Sequence, residues 1–137
     1  MVTRDLTHDV NPDEAGLHRF VKVDKGDFVG REALLARRAR HESGEEPYRW
    51  KLTYLAVDTD DAEVHGSDGV YHEGRCIGMV TTGGYGHHLQ QGFAFAYLRP
   101  EFAHAGAELQ VRVVGDLKPA RVLSEPAYDA PSERLRM

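Results

Sequence analysis

The sequence predicts a mainly β protein, a small barrel or sandwich of six short strands that follows a short α+β segment with one helix. Two patterns carry this prediction. From residue 49 onward apolar and polar residues alternate, and turn signals recur every ~8–12 residues. Good helix formers instead concentrate before residue 43. The chain therefore divides near residues 42–47, into a segment 1–46 and a β domain 47–137.

Three elements are predicted in the first segment. Asn11-Pro12-Asp13-Glu14 is a turn or helix start, because proline fixes φ and the acids favour a helix N-terminus. Phe20–Val23 has the pattern of a short strand. Residues 31–42 form a helix with a narrow apolar stripe, and Gly44 stands where a helix C-terminus is closed. The segment carries too few apolar residues for a core of its own.

The strands follow from the downstream alternation. In the run 93–97 the aromatic residues fall on one face and the alanines on the other. Two-residue hairpin turns are predicted at Glu73-Gly74 and at Gly115-Asp116. The predicted strands are Trp50 to Asp58, Gly69 to His72, Arg75 to Thr81, Gly92 to Tyr97, Leu109 to Val114 and Leu117 to Ser124.

The run Gly83-Gly84-Tyr85-Gly86 interrupts this pattern. It lacks the lysine and the hydroxyl residue that follow in a phosphate-binding loop. Because glycine permits positive φ, we predict a bend or loop between strands. The alternative is a ligand-facing loop that presents Tyr85 and His87.

Charge and hydropathy disfavour two classes of partner. Lys and Arg number 17 against 22 Asp and Glu, so the net charge of -5 gains little from counterion release on nucleic acid. The one basic cluster, Arg37–His41, is predicted to complement a helix C-terminus, with acids in the following loop. No apolar run approaches the ~18 residues of a membrane span, and the N-terminus has no hydrophobic signal core. We expect a soluble, cytoplasmic protein that binds neither nucleic acid nor membrane.

The residues alone indicate no catalytic site and no metal site. The eight histidines lack metal-ligand spacing; His87 and His88 are adjacent, and in a strand they would point to opposite faces. The four serines stand outside any nucleophile-elbow pattern. The single cysteine, Cys76, allows no internal disulfide, and its place beside Ile77 predicts a buried core thiol.

Three blocks of sequence carry a family pattern when taken in order. They are Asn11–Leu17 with Phe20–Leu35, then Gly78–His87 leading into Ala94–Leu98, and finally Glu125–Asp129 with Arg134. Together they resemble the C-terminal part of the glycine-cleavage T-protein (aminomethyltransferase) family, over nearly the whole chain. The same module ends dimethylglycine and sarcosine dehydrogenases. The segment 83–87 is more similar to that dehydrogenase branch, since the aminomethyltransferase branch usually has a Ser-Pro pair there.

This resemblance implies a fold and a class of reaction. Residues from about 49 would form the family's Greek-key or jelly-roll-like C-terminal β-barrel, and residues 1–46 would be the end of its folate-binding region. The family moves a one-carbon unit from an aminomethyl donor, or from an N-methyl amine after oxidation, onto tetrahydrofolate. We therefore expect a C-terminal part or small subunit of such an enzyme, which closes the folate-bearing ring of domains.

The resemblance also limits which residues inherit a role. The family's catalytic aspartate and pterin-binding groups belong to an N-terminal region that this chain does not contain. We therefore expect no catalytic residue here, and tetrahydrofolate binding only with that region or a partner subunit. Glu14 belongs to the turn motif and does not inherit the pterin-binding role. Arg134 is the one transferable position, because a guanidinium suits the carboxylate end of folate; the alternative is an exposed tail arginine.

The expected partner is a larger catalytic subunit or a second copy of the chain, bound through residues 1–46. This segment carries apolar residues that need a covering surface, and folding back on the barrel is the other option. The alternative function is a non-catalytic interaction module that keeps the barrel but no folate chemistry. The apolar residues concerned are Leu17, Phe20, Val23, Phe28 and Leu35.

Overall fold

A computed structural model describes residues 4–59, 62–129 and 131–136. Its elements are one α-helix, six strands and three short 3-10 helices, and the predicted helix is confirmed. In chain order the principal elements are α1 (Arg31–Glu42), β1 (Lys51–Val57), β2 (Gly69–His72), β3 (Arg75–Gly86), β4 (Gln91–Leu98), β5 (Glu108–Val113) and β6 (Asp116–Val122). The 3-10 helices are His18–Phe20, Pro100–Phe102 and Glu133–Leu135.

The six strands close into one antiparallel barrel in the order β1-β4-β3-β2-β5-β6. Strands β2, β3 and β4 are consecutive neighbours, and β5 returns beside β2, which is the Greek-key arrangement. Because β6 pairs with β1, the described strands leave no open edge. The predicted mainly β Greek-key barrel is confirmed.

Alternation along the strands builds the barrel interior. Leu55 and Val57 of β1 and Val111 and Val113 of β5 are almost fully buried, and each such side chain contributes about 1.5–3 kcal/mol on burial. Along β4 the alanines face inward, while the aromatic residues of the run 93–97 face outward, as predicted. The core cluster is completed by Val64, Val70, Ile77, Val80, Ala94, Ala96, Leu98, Ala103, Ala107, Leu109, Ala120 and Val122.

Both predicted hairpins form, one of them shifted by a residue. Glu73 and Gly74 connect β2 to β3 with φ of 48° and 77°, as a two-residue turn with two positive φ angles requires. The second turn consists of Val114 and Gly115, with φ of 49° and 96°, and Asp116 already belongs to β6. The register is set by the inward-facing residues of β5, so the exposed Val114 adopts the unfavourable conformation.

Two predictions about local backbone are wrong. Phe20–Val23 is not a strand: His18–Phe20 is a 3-10 turn, held by hydrogen bonds such as that from the Val21 N–H to the His18 carbonyl. The run 83–86 is not a loop, because β3 continues to Gly86 in register with β4. A strand there needs small residues, since a Cβ on Gly83 would collide with the Val64 carbonyl oxygen.

The prediction of a buried thiol is also wrong. Cys76 is exposed, and its Sγ lies 3.5 Å from the Gly78 carbonyl oxygen. Its neighbour Ile77 points into the core at 1% exposure, and alternation along a strand sends adjacent side chains to opposite faces. Hydropathy alone did not distinguish the two positions.

A buried carboxylate joins the first segment to the barrel. Glu14, 7% exposed, accepts hydrogen bonds from the backbone N–H groups of Arg49 and Trp50 through one oxygen. Its second oxygen accepts the Asn11 N–H, and its backbone carbonyl accepts the Leu52 N–H. The turn at residues 11–14 is therefore tied to the start of β1, in keeping with the structural role predicted for Glu14.

A second polar cluster holds α1 in place. The Arg38 guanidinium donates two hydrogen bonds to Asp13, at 2.8 and 2.7 Å, and the Tyr48 hydroxyl donates a third at 2.8 Å. The Arg38 hydrogen bonds lower the pKa of Asp13. Burial, followed by the hydrogen bond to Asp13, raises the pKa of Tyr48 to about 12. His41 of α1 stacks on Tyr48 at 3.8 Å between ring centroids.

The glycine run of β3 yields a matched pair of variants. Gly83→Ala should lower the free energy of unfolding by about 1–3 kcal/mol, because its Cβ collides with the Val64 backbone. Gly84→Ala should be neutral or slightly stabilising, since nothing lies within 4 Å of its Cβ position. Urea denaturation of both variants measures the difference, and equal stabilities would contradict this account of the run.

The Asp13 cluster predicts that the free energy of unfolding falls at acid pH. Because the folded-state pKa of Asp13 is lowered, its contribution is present above about pH 4 and is lost as pH falls through the folded-state pKa. Asp13→Asn should lower the free energy of unfolding by about 1–3 kcal/mol at pH 7. It should also reduce the loss of stability at acid pH. The control is Asp9→Asn, whose carboxylate is exposed. Denaturation curves from pH 2 to 7 test this, and parallel pH profiles for Asp13→Asn and the parent chain would contradict it.

Candidate functional site

The β3–β4 hairpin places the two ligand-facing candidates at one edge of the barrel. Tyr85 is the penultimate residue of β3, opposite Gly92, and His87 follows in the connecting loop. Their rings meet edge to face with centroids 5.2 Å apart. The loop closes through a hydrogen bond from the Leu89 N–H to the Gly86 carbonyl. Tyr85 therefore projects from a strand, not from the predicted loop.

The chain after β6 positions Arg134 on a short, capped turn. The Asp129 carboxylate accepts the backbone N–H groups of Glu133 and Arg134, at 2.9 and 3.2 Å, and so begins the 3-10 helix Glu133–Leu135. The Arg134 guanidinium lies over the Tyr128 ring, 5.2 Å from its centroid. The exposed tail arginine is thus held against an aromatic face.

These two pieces of structure meet. His88 of the hairpin loop packs edge to face on Tyr128, with centroids 5.1 Å apart. The Tyr85–His87 pair and the His88–Tyr128–Arg134 contacts thus come together at the adjacent loop residues 87 and 88. We call these five residues the hairpin–tail edge.

Two members of the hairpin–tail edge were missed in the sequence. Tyr128 stands inside the tail motif 125–129, but no periodic pattern signals a contact with a loop forty residues away. In a strand, His88 would point away from His87, and no other feature of the sequence singled it out. Both histidines lie in the loop after β3, where that alternation does not apply.

The hairpin–tail edge combines two aromatic rings, half-buried at Tyr85 and exposed at Tyr128, with two imidazoles and a guanidinium. Groups of this kind suit a flat or anionic ligand. Among the described residues, the Ser43 hydroxyl donates to the Arg40 carbonyl and accepts the Glu45 N–H, and the Cys76 thiol donates to the Gly78 carbonyl. No nucleophile–base pair is therefore assembled at the edge by the described residues.

Other features of the surface lie apart from the hairpin–tail edge. One groove, of about 790 Å³, runs over β1, β2, β5 and β6, between Asp58, His72, Glu108 and Arg121. Within residues 4–59, 62–129 and 131–136, no three His, Cys, Asp or Glu side chains are grouped to hold a metal ion. In the same residues no helix has the length and apolar character to cross a bilayer.

Comparison with known proteins relates this chain to one family. Residues 51–129 match the glycine cleavage T-protein C-terminal barrel domain. Mouse mitochondrial dimethylglycine dehydrogenase is 32% identical over 97% of this chain, which spans 15% of that protein. The aminomethyltransferase of Moorella thermoacetica is 36% identical over 94% of the chain, which spans 33% of it. The chain thus covers a third or less of these relatives.

A solved structure supports the fold assignment. The glycine cleavage system aminomethyltransferase T of Bartonella henselae superposes with a TM-score of 0.76 at 24% sequence identity, over 93% of this chain and 34% of that one. The barrel and the matched sequence coincide, since strands β1 to β6 all lie within residues 51–129. The chain belongs to the family of glycine cleavage T-protein C-terminal barrel domains.

Proposed function

We propose that this chain is the C-terminal module, or a small subunit, of a tetrahydrofolate-dependent enzyme that transfers one-carbon units from an aminomethyl or N-methyl amine donor. It closes the folate-bearing domains without supplying catalytic residues. The observation that carries this proposal is the extent of the similarity, which covers 97% of the chain in dimethylglycine dehydrogenase and is not confined to the barrel. Residues 1–46 are then the end of the folate-binding region, and 47–137 the barrel domain.

The reacting groups belong, on this proposal, to the region that this chain does not match. The Moorella aminomethyltransferase is about three times as long as the matched part. Glu14, a buried carboxylate of the first segment, is occupied by backbone N–H groups of residues 11, 49 and 50. It therefore has a structural role and is not available to a pterin ring.

The hairpin–tail edge supplies this chain's contribution to the cofactor. When bound to the assembly, tetrahydrofolate would act as the acceptor of the one-carbon unit. Arg134 fits its carboxylate end, because a guanidinium binds a carboxylate through two parallel hydrogen bonds. The ion pairs of the described residues engage Arg37, Arg38 and Arg40, not Arg134. Packing on Tyr128 limits the side chain's freedom and so lowers the entropy lost on binding.

Calorimetric titration with tetrahydrofolate tests whether most of the folate site lies outside this chain. We expect the isolated chain to bind it weakly, because most of the site lies elsewhere. Adding the first two thirds of the Moorella aminomethyltransferase, the part this chain does not cover, should produce measurable binding. Tight binding by the isolated chain, or none in the mixture, would contradict the proposal.

The role of Arg134 is tested in the same mixture. Arg134→Ala should weaken tetrahydrofolate binding about tenfold or more, the loss expected for a charge-assisted hydrogen bond. Arg136→Ala, a neighbouring tail arginine, is the matched control and should leave the affinity unchanged. Equal effects of the two variants count against a specific contact. Unchanged affinity and turnover with Arg134→Ala would favour a non-catalytic interaction module.

A further inference from the structure

The outer surface of the barrel carries an apolar cluster that the interior does not use. The outward ring of Tyr54 on β1 contacts two rings of β4, with its centroid 5.6 Å from that of Phe93 and 5.1 Å from that of Phe95. Met79 projects from β3 opposite Tyr97 of β4. We call Tyr54, Phe93, Phe95 and Met79 the aromatic face.

Two members of the aromatic face are exposed in the isolated chain, whereas Tyr54 and Phe93 are half-buried. Phe95 is 43% exposed and Met79 53% exposed. Outward positions on β5 and β6 include the polar residues Gln110, Arg112 and Arg121, together with Leu117, which is 40% exposed. Aromatic residues and methionine are enriched at protein interfaces, while charged residues are depleted from their centres. A contiguous patch of this composition marks a docking surface.

The start of the described chain shows what lies next to this surface. The Tyr97 hydroxyl donates a 2.6 Å hydrogen bond to the Asp5 carbonyl, and the Thr81 hydroxyl donates to the Asp5 side chain. Tyr97 itself adjoins the aromatic face, because Phe95 lies two residues before it on the same side of β4 and Met79 is its cross-strand partner. Asp5 is 6% exposed. The backbone at residue 5 is therefore anchored at the border of the aromatic face.

We propose that the aromatic face is the docking surface for the folate-binding body that precedes this module in the longer relatives. Because Asp5 is held at Tyr97 and Thr81, sequence joined to this end of the module in a longer relative would lie next to the aromatic face. The Moorella relative has twice as much additional sequence as the matched part, since the chain spans 33% of it. This inference rests on the proposed function for the identity of the occupant. It adds a surface of the barrel to the segment 1–46, which was already expected to bind the partner.

Hydroxyl-radical footprinting locates the contact. The full chain is labelled alone and after mixing with the first two thirds of the Moorella aminomethyltransferase, and modification is read by mass spectrometry. We expect Met79 and Phe95 to be modified at least fivefold more slowly in the mixture. Leu117 of β6, 40% exposed, should be unchanged. Phe20 and Val29, at 66% and 104% exposure, report on the competing surface in residues 1–46.

Substitution then measures the strength of the contact. Phe95→Ser should weaken association with the folate-binding fragment at least tenfold, the effect of removing an interface anchor. Leu117→Ser, at nearly the same exposure, should leave it unchanged. Met79→Ser removes the most exposed member of the face and is the second test if Phe95→Ser fails to fold, as circular dichroism will show.

The outcomes distinguish an error in the proposed docking surface from an error in the proposed function. Association with protection confined to Phe20 and Val29 overturns the aromatic face as the docking surface but leaves the proposed function standing. Protection that depends on the chain's own concentration, without the fragment, identifies a second copy as the occupant and also overturns it. Absence of any association contradicts the proposed function itself.

Discussion

Closing six strands into a barrel leaves a narrow interior, and this constraint determines how each strand divides its side chains. Strand β4 lies between β1 and β3, and only small residues fit on its inner side at Ala94 and Ala96. Because successive side chains alternate, the aromatic residues next to these alanines, Phe93, Phe95 and Tyr97, face outward. The exposed aromatic rings are thus a consequence of the small inner alanines, and their burial requires a surface outside the barrel.

The same constraint explains the glycine run. Strand β3 extends over the segment that contains Val64, and a Cβ at Gly83 would displace the Val64 backbone. The long hairpin of β3 and β4 therefore depends on residues that ordinarily mark turns. Its extension carries Tyr85 and His87 to the edge where Tyr128 lies, although 40 residues separate His88 from Tyr128 in the sequence. Close packing at glycine thus places the predicted binding residues next to the tail.

Much of the architecture could be predicted from the sequence because alternation is a local property. The six strands and the Glu73-Gly74 turn required only period-two patterns and turn residues. The errors arose where a non-local contact decided the outcome. Among the described residues Phe20–Val23 pairs with no strand, whereas the glycine run pairs with β4. The inward and outward positions of Ile77 and Cys76 depended on register, which hydropathy does not report. Of the site, Arg134 was found by resemblance, whereas its aromatic support on Tyr128 required the structure.

The two outer surfaces share the β3–β4 hairpin, which would link the proposed docking to the proposed cofactor binding. From Met79 to Tyr85 strand β3 advances six residues, a distance of about 20 Å. A small folded domain is about 30 Å across, so a partner seated on the aromatic face would also reach the hairpin–tail edge. Since Asp129 and Tyr128 restrain Arg134 at that edge, docking would bring an already oriented guanidinium to the partner's surface. On the proposed function, the barrel would in this way complete a ligand site, because the pairing of β3 with β4 fixes the position of one surface relative to the other.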